Sequence, residues 1–296
     1  MTADEHEWLA KHFEEHRTHL RAVAYRMLGS LPEADEAVQD AWLRVSRAGA
    51  DGVENLGGCL TTIVARVCLN ALQARKARPE QSASLRMPDP VVSREGALDP
   101  EQEALLADSV GLALLVVLET LSPAERLAFV LHDLFDLPFE EIAPMVGRSA
   151  TAARQLASRA RRRVQGAAVP PDVDLARQRE VVDAFFAAGR AGDFDALVRV
   201  LDPDVVLRSD VPKVGEQRGA ARVARMALAG ARGGGLSASV LPVLVNGVAG
   251  ALIVQNGRAV TVMAFTVSGG RIVAIDGIAD PDRISRLQLD LAALQG

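Results

Sequence analysis

Aromatic residues are scarce in this chain of 296 residues: they make up 4%, with one tyrosine, two tryptophans and eight phenylalanines. Its cores must therefore rest on alanine, leucine and valine. Cysteine is rarer still. Cys59 and Cys68 are the only two; neither sits in a CxxC pattern, and both fall among helix-forming residues. That pattern excludes a disulfide scaffold and implies reduced, partly buried thiols in a cytoplasmic protein. Long apolar runs are missing as well, since the longest, residues 110–118, is too short to cross a bilayer. The first residues, MTADEHEWLAKHFEE, are polar and acidic, so neither a signal peptide nor a membrane partner is expected. Histidine numbers five. His12, His16 and His19 lie within two turns of one helix, but no second ligand motif accompanies them, so they read as surface or satisfied histidines and no metal or other cofactor is expected.

What is present is ordinary for a soluble globular protein: 49% hydrophobic and 24% charged residues, in a length sufficient for two or three domains. The net charge of −5 does not by itself suggest a nucleic-acid binder. The average hides a local concentration of arginine between Arg154 and Arg163.

That concentration ends a stretch, residues 122–164, that reads as a helix-turn-helix. Ser122-Pro123-x-Glu125 is a capping box with proline at the first helical position. It launches a helix through Phe129, Val130 and Leu134, which Asp136-Leu137-Pro138 ends. A short helix, Phe139–Val146, carries Pro144 inside it, which should shorten or kink it. Gly147 supplies the turn, and Ser149 caps a last helix. There Ala153, Leu156, Ala157, Ala160 and Val164 share an inner side. Thr151, Gln155, Ser158, Arg159 and Arg162 share the outer side, flanked by Arg154, Arg161 and Arg163. Hydrogen-bonding side chains near the helix start suit base edges, and guanidinium groups farther along suit phosphates. A solvated basic helix on an unrelated bundle is the competing reading.

Residues 6–78 read as entirely helical. One helix covers Trp8–Leu28 and a second runs from Pro32 to Ala48. After a loop over 49–58, CLTTIVARVCLNALQARKAR forms a third helix with Ile63, Val67 and Leu72 buried. Its exposed side carries Arg66, Asn70, Gln73, Arg75, Lys76 and Arg78. The second helix sets Glu33, Asp35, Glu36, Gln39 and Asp40 beside an apolar face, with Trp42 as an aromatic anchor for a basic partner helix; a solvated acidic face explains the same pattern. Residues 79–100 hold four prolines and read as a linker without regular structure. Within it, residues 85–92 (LRMPDPVV) are too apolar for a free tether and are expected to dock as an extended segment. A helix over 101–121 follows.

Beyond a boundary at 166–172 the pattern changes. Helices over 175–189, 194–201 and 220–229 accompany strands near 205–207, 239–245, 249–254, 259–267 and 271–278. Asn256-Gly257 and Gly269-Gly270 mark hairpin turns, and a terminal helix covers 282–294. The expectation is an α+β domain with a concave antiparallel sheet.

Taken in order, these segments resemble the sigma-70 family, in its extracytoplasmic-function group and in the subgroup with a SnoaL-like C-terminal extension. YRMLGSLPEADEAVQDAWLRV is similar to the core-polymerase-binding helix of region two, and CLTTIVARVCLNALQARKAR to the promoter-melting helix. Residues 121–164 are similar to region four. The resemblance implies a multidomain protein: region two over 6–78, a linker over 79–100, region four over 101–166 and an α+β SnoaL-like cone over 175–296. It implies core RNA polymerase and promoter DNA as partners. Asp35, Glu36, Gln39, Asp40 and Trp42 would face the polymerase. Thr61, Arg66, Asn70, Arg75, Lys76 and Arg78, with the 55–61 loop, would handle the −10 element. Ser149, Thr151, Arg154, Gln155, Ser158 and Arg159 would read the −35 element, with Arg161, Arg162 and Arg163 nearer the backbone.

Short motifs of the subgroup recur in altered form. Leu85, Met87, Pro88, Asp89 and Pro90 resemble a Trp-Leu-Pro-Glu-Pro linker motif without its aromatic. Asp210 and Lys213 fall where an Asp-Gly-Gly-Gly-Lys loop is expected, here without the glycines. Asp280, Pro281, Asp282 and Arg283 resemble Asn-Pro-Asp-Lys. In relatives the extension acts as an attached regulator in place of a separate anti-sigma protein. Two other classes remain open at the level of sequence. One is an enzyme, with Asp210 or Asp276 as a general base in the cone and a small ligand in its cavity, although the cone strands supply no His or Tyr partner. The other is a helix-turn-helix repressor with a ligand-binding domain, which would leave residues 6–78 without a task. A transcription initiation factor, not an enzyme, accounts for the whole chain.

Overall fold

A computed structural model describes residues 3–48, 55–77, 87–95, 111–167, 169–233, 238–287 and 289–295. These form two compact units. The first takes in the described residues up to 77 together with 117–167, and the second takes in 87–95, 111–116 and those from 169 onward. Arg78, Leu85 and most of the helix expected over 101–121 lie outside the described residues.

The first unit begins with three helices: α1 (Ala3–Leu28), α2 (Leu31–Ala48) and α3 (Leu56–Lys76). Gly29, at φ 70°, turns the chain between α1 and α2. Alanines at Ala34, Ala37 and Ala41 of α2 bring its backbone close to its neighbours. On α3 the buried stripe is Leu60, Val64, Cys68 and Leu72, one register away from the expected one, so Ile63 and Val67 are only half-buried. α3 also starts earlier than expected, because the side chain of Asn55 accepts from Gly58 N at 2.9 Å and caps it. By length and hydropathy α3 would pass for a membrane span; its packing against α1 and α2 makes it a bundle helix. Burial pushes the Cys68 thiol up to about 12, so it stays protonated.

After α4 (Gly111–Glu119) comes the helix-turn-helix: α5 (Pro123–Phe129), α6 (Phe139–Val146) and α7 (Ala150–Ala167). Both halves of the capping box form, with Ser122 accepting from Glu125 N and Glu125 accepting from Ser122 N. The expected helix continues to Leu134, but its winding changes after Phe129, where Val130–Leu134 is a π-helix. It closes with Asp136 at φ 53° and His132 Nδ1 donating to Leu137 O at 2.9 Å. α6 runs over Pro144 to Gly147, which takes the left-handed conformation at φ 64°. Within this unit Arg126 of α5 is 2% exposed; its Nε donates to Arg26 O near the end of α1 (3.2 Å) and its Nη1 to Glu119 (2.8 Å). His19 and Arg26 of α1 both meet the Phe135 ring, and burial, then the charges of His16 and Arg26, hold the His19 pKa below its usual value.

The second unit is an α+β cone. Helices α8 (Leu175–Ala191), α9 (Phe194–Val200) and α10 (Ala220–Gly233) cover a seven-stranded sheet. Its strands are β1 (Val92–Ser93), β2 (Leu201–Ser209), β3 (Glu216–Arg218), β4 (Ala238–Val245), β5 (Val248–Gln255), β6 (Arg258–Ser268) and β7 (Arg271–Ile278), in the order β1-β4-β5-β6-β7-β2-β3. The sheet is not wholly antiparallel as expected: β2 runs parallel to β7. Phe185, Phe186 and Phe265 pack edge to face, with centroids 5.5–5.7 Å apart, inside a core of Val182, Leu197, Val223 and Ile275. Gly250 has no room for a side chain, since a Cβ would lie 2.4 Å from Val245 and 2.8 Å from Met263 O. The terminal helix is two pieces, α11 (Pro281–Arg286) and α12 (Leu291–Gln295).

Candidate functional site

The recognition helix α7 buries Ala153, Ala157 and Ala160, and exposes Thr151, Arg154, Gln155, Ser158, Arg159, Arg161, Arg162 and Arg163. Ser149 Oγ accepts from Ala152 N at 3.2 Å, so this serine is engaged as a cap. The Arg154 guanidinium lies over the Phe139 ring, 5.1 Å from its centroid, which holds it on the exposed side of the helix pair. The other arginines differ. Arg159 Nε donates to Glu125 Oε1 (3.2 Å), Arg163 Nη1 to Glu125 Oε2 (2.8 Å), and Arg161 Nε to Asp133 (2.7 Å). Burial of Glu125 opposes its ionisation, but hydrogen bonds from Ser122 and Arg159 and the Arg163 charge outweigh it and hold the pKa below the usual value.

On α2, Glu36 and Gln39 are exposed, Asp35 accepts from Arg21 of α1 (2.6 Å), and Asp40 accepts from Arg44 (2.8 Å). Trp42 is half-buried against Phe13 and His6, with centroids 5.0 and 5.6 Å away. A groove of about 330 Å³ runs between α1 and α2, lined by Phe13, Arg17, Arg21, Asp35, Gln39 and Trp42. On α3, Arg66, Asn70 and Lys76 are exposed. Two residues expected to handle the −10 element are engaged within the fold. Thr61 is 3% exposed and its hydroxyl donates to Gly57 O at 2.8 Å, so it faces the bundle. Arg75 is half-buried in an ion pair with Glu33 of α2, and residues 56–61 are helix, not loop.

As expected for residues 85–92, the described linker residues 87–95 dock as an extended segment, on the cone, and a two-residue strand within them departs from the reading of a linker without regular structure. Val92 and Ser93 pair with Val245 and Leu244, adding β1 to the sheet. The Asn246 side chain accepts from Val91 N (3.0 Å), and Asn246 N donates to Val91 O (2.8 Å). Met87, Pro88, Pro90 and Val91 are buried. Arg283 ties the start of this segment. Its Nη2 donates to Met87 O (2.7 Å) and Asp89 (2.7 Å), with Pro88 O at 3.1 Å, and its Nη1 donates to Asp210 (3.2 Å). Asp210 also accepts from Ala279 N (2.8 Å) and Asp280 N (3.2 Å), while Asp280 caps α11. At the far end Glu95 pairs with Arg179 of α8, which also donates to Val243 O and Gly250 O at 2.8 Å each. Lys213, Pro281 and Asp282 are exposed.

The two carboxylates weighed as general bases are both engaged in structure. Asp210 orders the loop before α11. Asp276, 1% exposed, is paired with Arg208 at 3.1 Å, and its burial raises its pKa. Neither lines the groove of about 500 Å³ beside α8, which is bordered by Arg179, Asp183, Phe186, Arg190, Val240 and Pro242.

Comparison with known families decides what these surfaces belong to. Residues 12–78 match the family described as Sigma-70 region 2, and residues 111–164 match Sigma-70, region 4. The chain is 39% identical to the ECF RNA polymerase sigma factor SigJ of Mycobacterium tuberculosis, over 92% of each chain. The chain belongs to the sigma-70 family. It is also 35% identical to the probable ECF RNA polymerase sigma factor SigI of M. tuberculosis, covering 97% of this chain and 98% of that one. The crystal structure of M. tuberculosis SigJ superposes with a TM-score of 0.76 at 36% identity, covering 93% of this chain and 98% of that one.

In this ECF sigma factor the region 2 and region 4 helices and the α+β cone stand in the expected order. The motif residues Met87, Pro88, Asp89 and Asp210, scattered in sequence, meet around the Arg283 guanidinium, while Asp280 accepts from the Arg283 backbone N–H. Sequence reasoning missed three of the groups that hold the linker: Asn246, Arg179 and Glu95. Asn246-Gly247, with φ of 52° and 77°, was a readable turn signal between two strands. Arg179 and Glu95 left none, being 84 residues apart.

Proposed function

We propose that this ECF sigma factor, acting in the cytoplasm, delivers core RNA polymerase to its promoters through two modules, and that the cone regulates it by holding the segment that joins them. The observation carrying this is the docked stretch 87–95, which is bound along its length by β4, Asn246, Arg283 and Arg179. Region 2 ends near residue 77 and region 4 begins near 111, so the span between the modules depends on how much of this segment is free. Release of the docked stretch would add free chain between the modules and let them seek two promoter elements at once. Core binding then competes with the docking contacts, and a few kcal/mol suffice for a near-complete population shift.

The −35 reading rests on Thr151, Arg154, Gln155, Ser158 and Arg159, with Arg161 and Arg162 as cations near the backbone and Arg163 tethered to Glu125. The −10 reading rests on Arg66, Asn70 and Lys76, and polymerase binding on Asp35, Glu36, Gln39, Asp40 and Trp42 around the α1–α2 groove. A small ligand in the groove beside α8 would bear on the docked segment through Arg179, which lines the groove and pairs with Glu95.

Reconstituted transcription with purified core polymerase tests the whole reading. The full chain should bind core and start transcripts at a defined promoter, and a chain lacking residues 175–296 should give a different yield. Failure to bind core at low salt would end the sigma reading for this chain, and an equal yield from both chains would remove the cone from regulation. Arg154→Ala is expected to weaken promoter binding by about 1–3 kcal/mol and to relax preference at one position of the upstream element, measured by competition between single-base variants.

A further inference from the structure

Glu125 is asked to do more than cap a helix. It is the N3 residue of the α5 capping box, where its Oε2 accepts from Ser122 N (3.1 Å) and Ser122 Oγ (2.7 Å). The same carboxylate, with its side chain 8% exposed, also accepts from Arg159 and Arg163 of α7, whose side chains are 48% and 52% exposed. One buried anion on the scaffold thus grips two half-exposed cations on the helix that carries the outward-facing polar side chains. The two arginines are four residues apart, one turn of helix, and so fall on the same flank.

We infer that Glu125 is a positioning residue for upstream-element recognition, fixing which arginines of α7 are available to phosphates and which are aimed at bases. Arg163 is held by a terminal nitrogen, which withdraws its charge from the backbone-contacting set. Arg159 is held by its Nε, which leaves both terminal nitrogens for an acceptor outside the protein. That is the end-on geometry a guanidinium uses against the paired acceptors of a guanine edge. Without the tether both side chains sweep freely, and a free guanidinium beside a duplex goes to the nearest phosphate, which carries no sequence information. The tether trades non-specific affinity for discrimination. This rests on the reading of α7 as the promoter-reading helix.

The test uses the full chain assembled with core polymerase, and a promoter fragment selected by that holoenzyme from a random library. Binding is measured over a salt series against the fragment and against a copy with its upstream element scrambled. For Glu125→Gln, the slope of log affinity against log salt should steepen by about 1–2, close to 0.9 for each added phosphate contact. Preference for the intact element should fall about 10-fold, roughly one base-pair contact's worth of discrimination. Ser122→Ala breaks the cap but leaves the carboxylate; it should lower the melting temperature while leaving slope and preference as in the wild type. An unchanged slope and preference in Glu125→Gln would overturn the inference, as would Ser122→Ala reproducing both effects. If Glu125→Gln does not fold, Glu125→Asp, one methylene short of the arginines, should move both readouts partway in the same direction, and no movement would overturn the inference. Wild-type protein with no promoter preference would instead mark failure of the underlying reading of α7.

Discussion

Arg126→Ala should lower the unfolding free energy of the first unit by about 3–5 kcal/mol, as expected when one partner of a buried ion pair is removed. The guanidinium is almost wholly enclosed and answers two needs at once. It neutralises Glu119, itself 13% exposed, and it satisfies the carbonyl of Arg26 in the last turn of α1, where backbone acceptors lack helical partners. Alanine would leave the Glu119 carboxylate without this counter-charge, remove a donor from the Arg26 carbonyl, and open a cavity where the side chain lay. Each contributes in the same direction. Because Arg126 belongs to the helix-turn-helix and Arg26 to the three-helix bundle, the loss should also uncouple them. Calorimetry of the full chain should then resolve separate transitions for the two modules, where the wild type is expected to show a single shared one. An unchanged melting profile would mean that the contact contributes nothing to their cohesion. Arg126→Lys should recover part of the loss, since a single ammonium cannot reach both acceptors in the planar geometry of the guanidinium.

The second large effect is expected at Arg283. Its replacement by alanine removes the donor shared by Met87, Asp89 and Asp210, and leaves two carboxylates facing one another across the vacated space. Removing one member of a hydrogen-bonded charge cluster at an interface costs about 2–5 kcal/mol, part of it the penalty on the groups left behind. The docked segment should come away from the cone more readily, seen as faster protease cleavage within 87–95. With the segment free, transcription at limiting sigma factor should rise about 10-fold, which corresponds to 1.4 kcal/mol of relieved competition. Arg286→Ala, at an exposed arginine one turn along α11, controls for general damage to that helix. Faster cleavage with an unchanged transcript yield would separate docking from regulation and defeat the proposed role of the cone.

These contacts divide along the line between what a chain can announce locally and what it cannot. The capping box at Ser122, the left-handed Gly147, and the turns at Asn256-Gly257 and Gly269-Gly270 were legible because each is decided by neighbours within four residues. The faces of α2 and α7 were legible because helical periodicity carries them. On α3 the same method slipped by one residue, since its mixture of Ile, Val, Ala and Cys offers two stripes of similar hydrophobicity and only the packing of α1 and α2 chooses. The availability of side chains was the least legible property. Arg75, Thr61, Arg159 and Arg163 all look like free polar groups on a helix, yet each is engaged by a partner on the fold. The parallel pairing of β2 with β7 and the capture of residues 92–93 by β4 join segments distant in sequence, and no local pattern encodes them.

The capture of Val92 and Ser93 carries a liability. While they are in place, the backbone groups of Leu244 and Val245 on the outermost long strand of the cone are matched. Once the segment leaves, those groups face water beside an apolar surface, a template on which any extended chain can assemble, including a second cone. The liberated form should therefore self-associate as its concentration rises, so a cell would gain from keeping it scarce, short-lived or bound to polymerase.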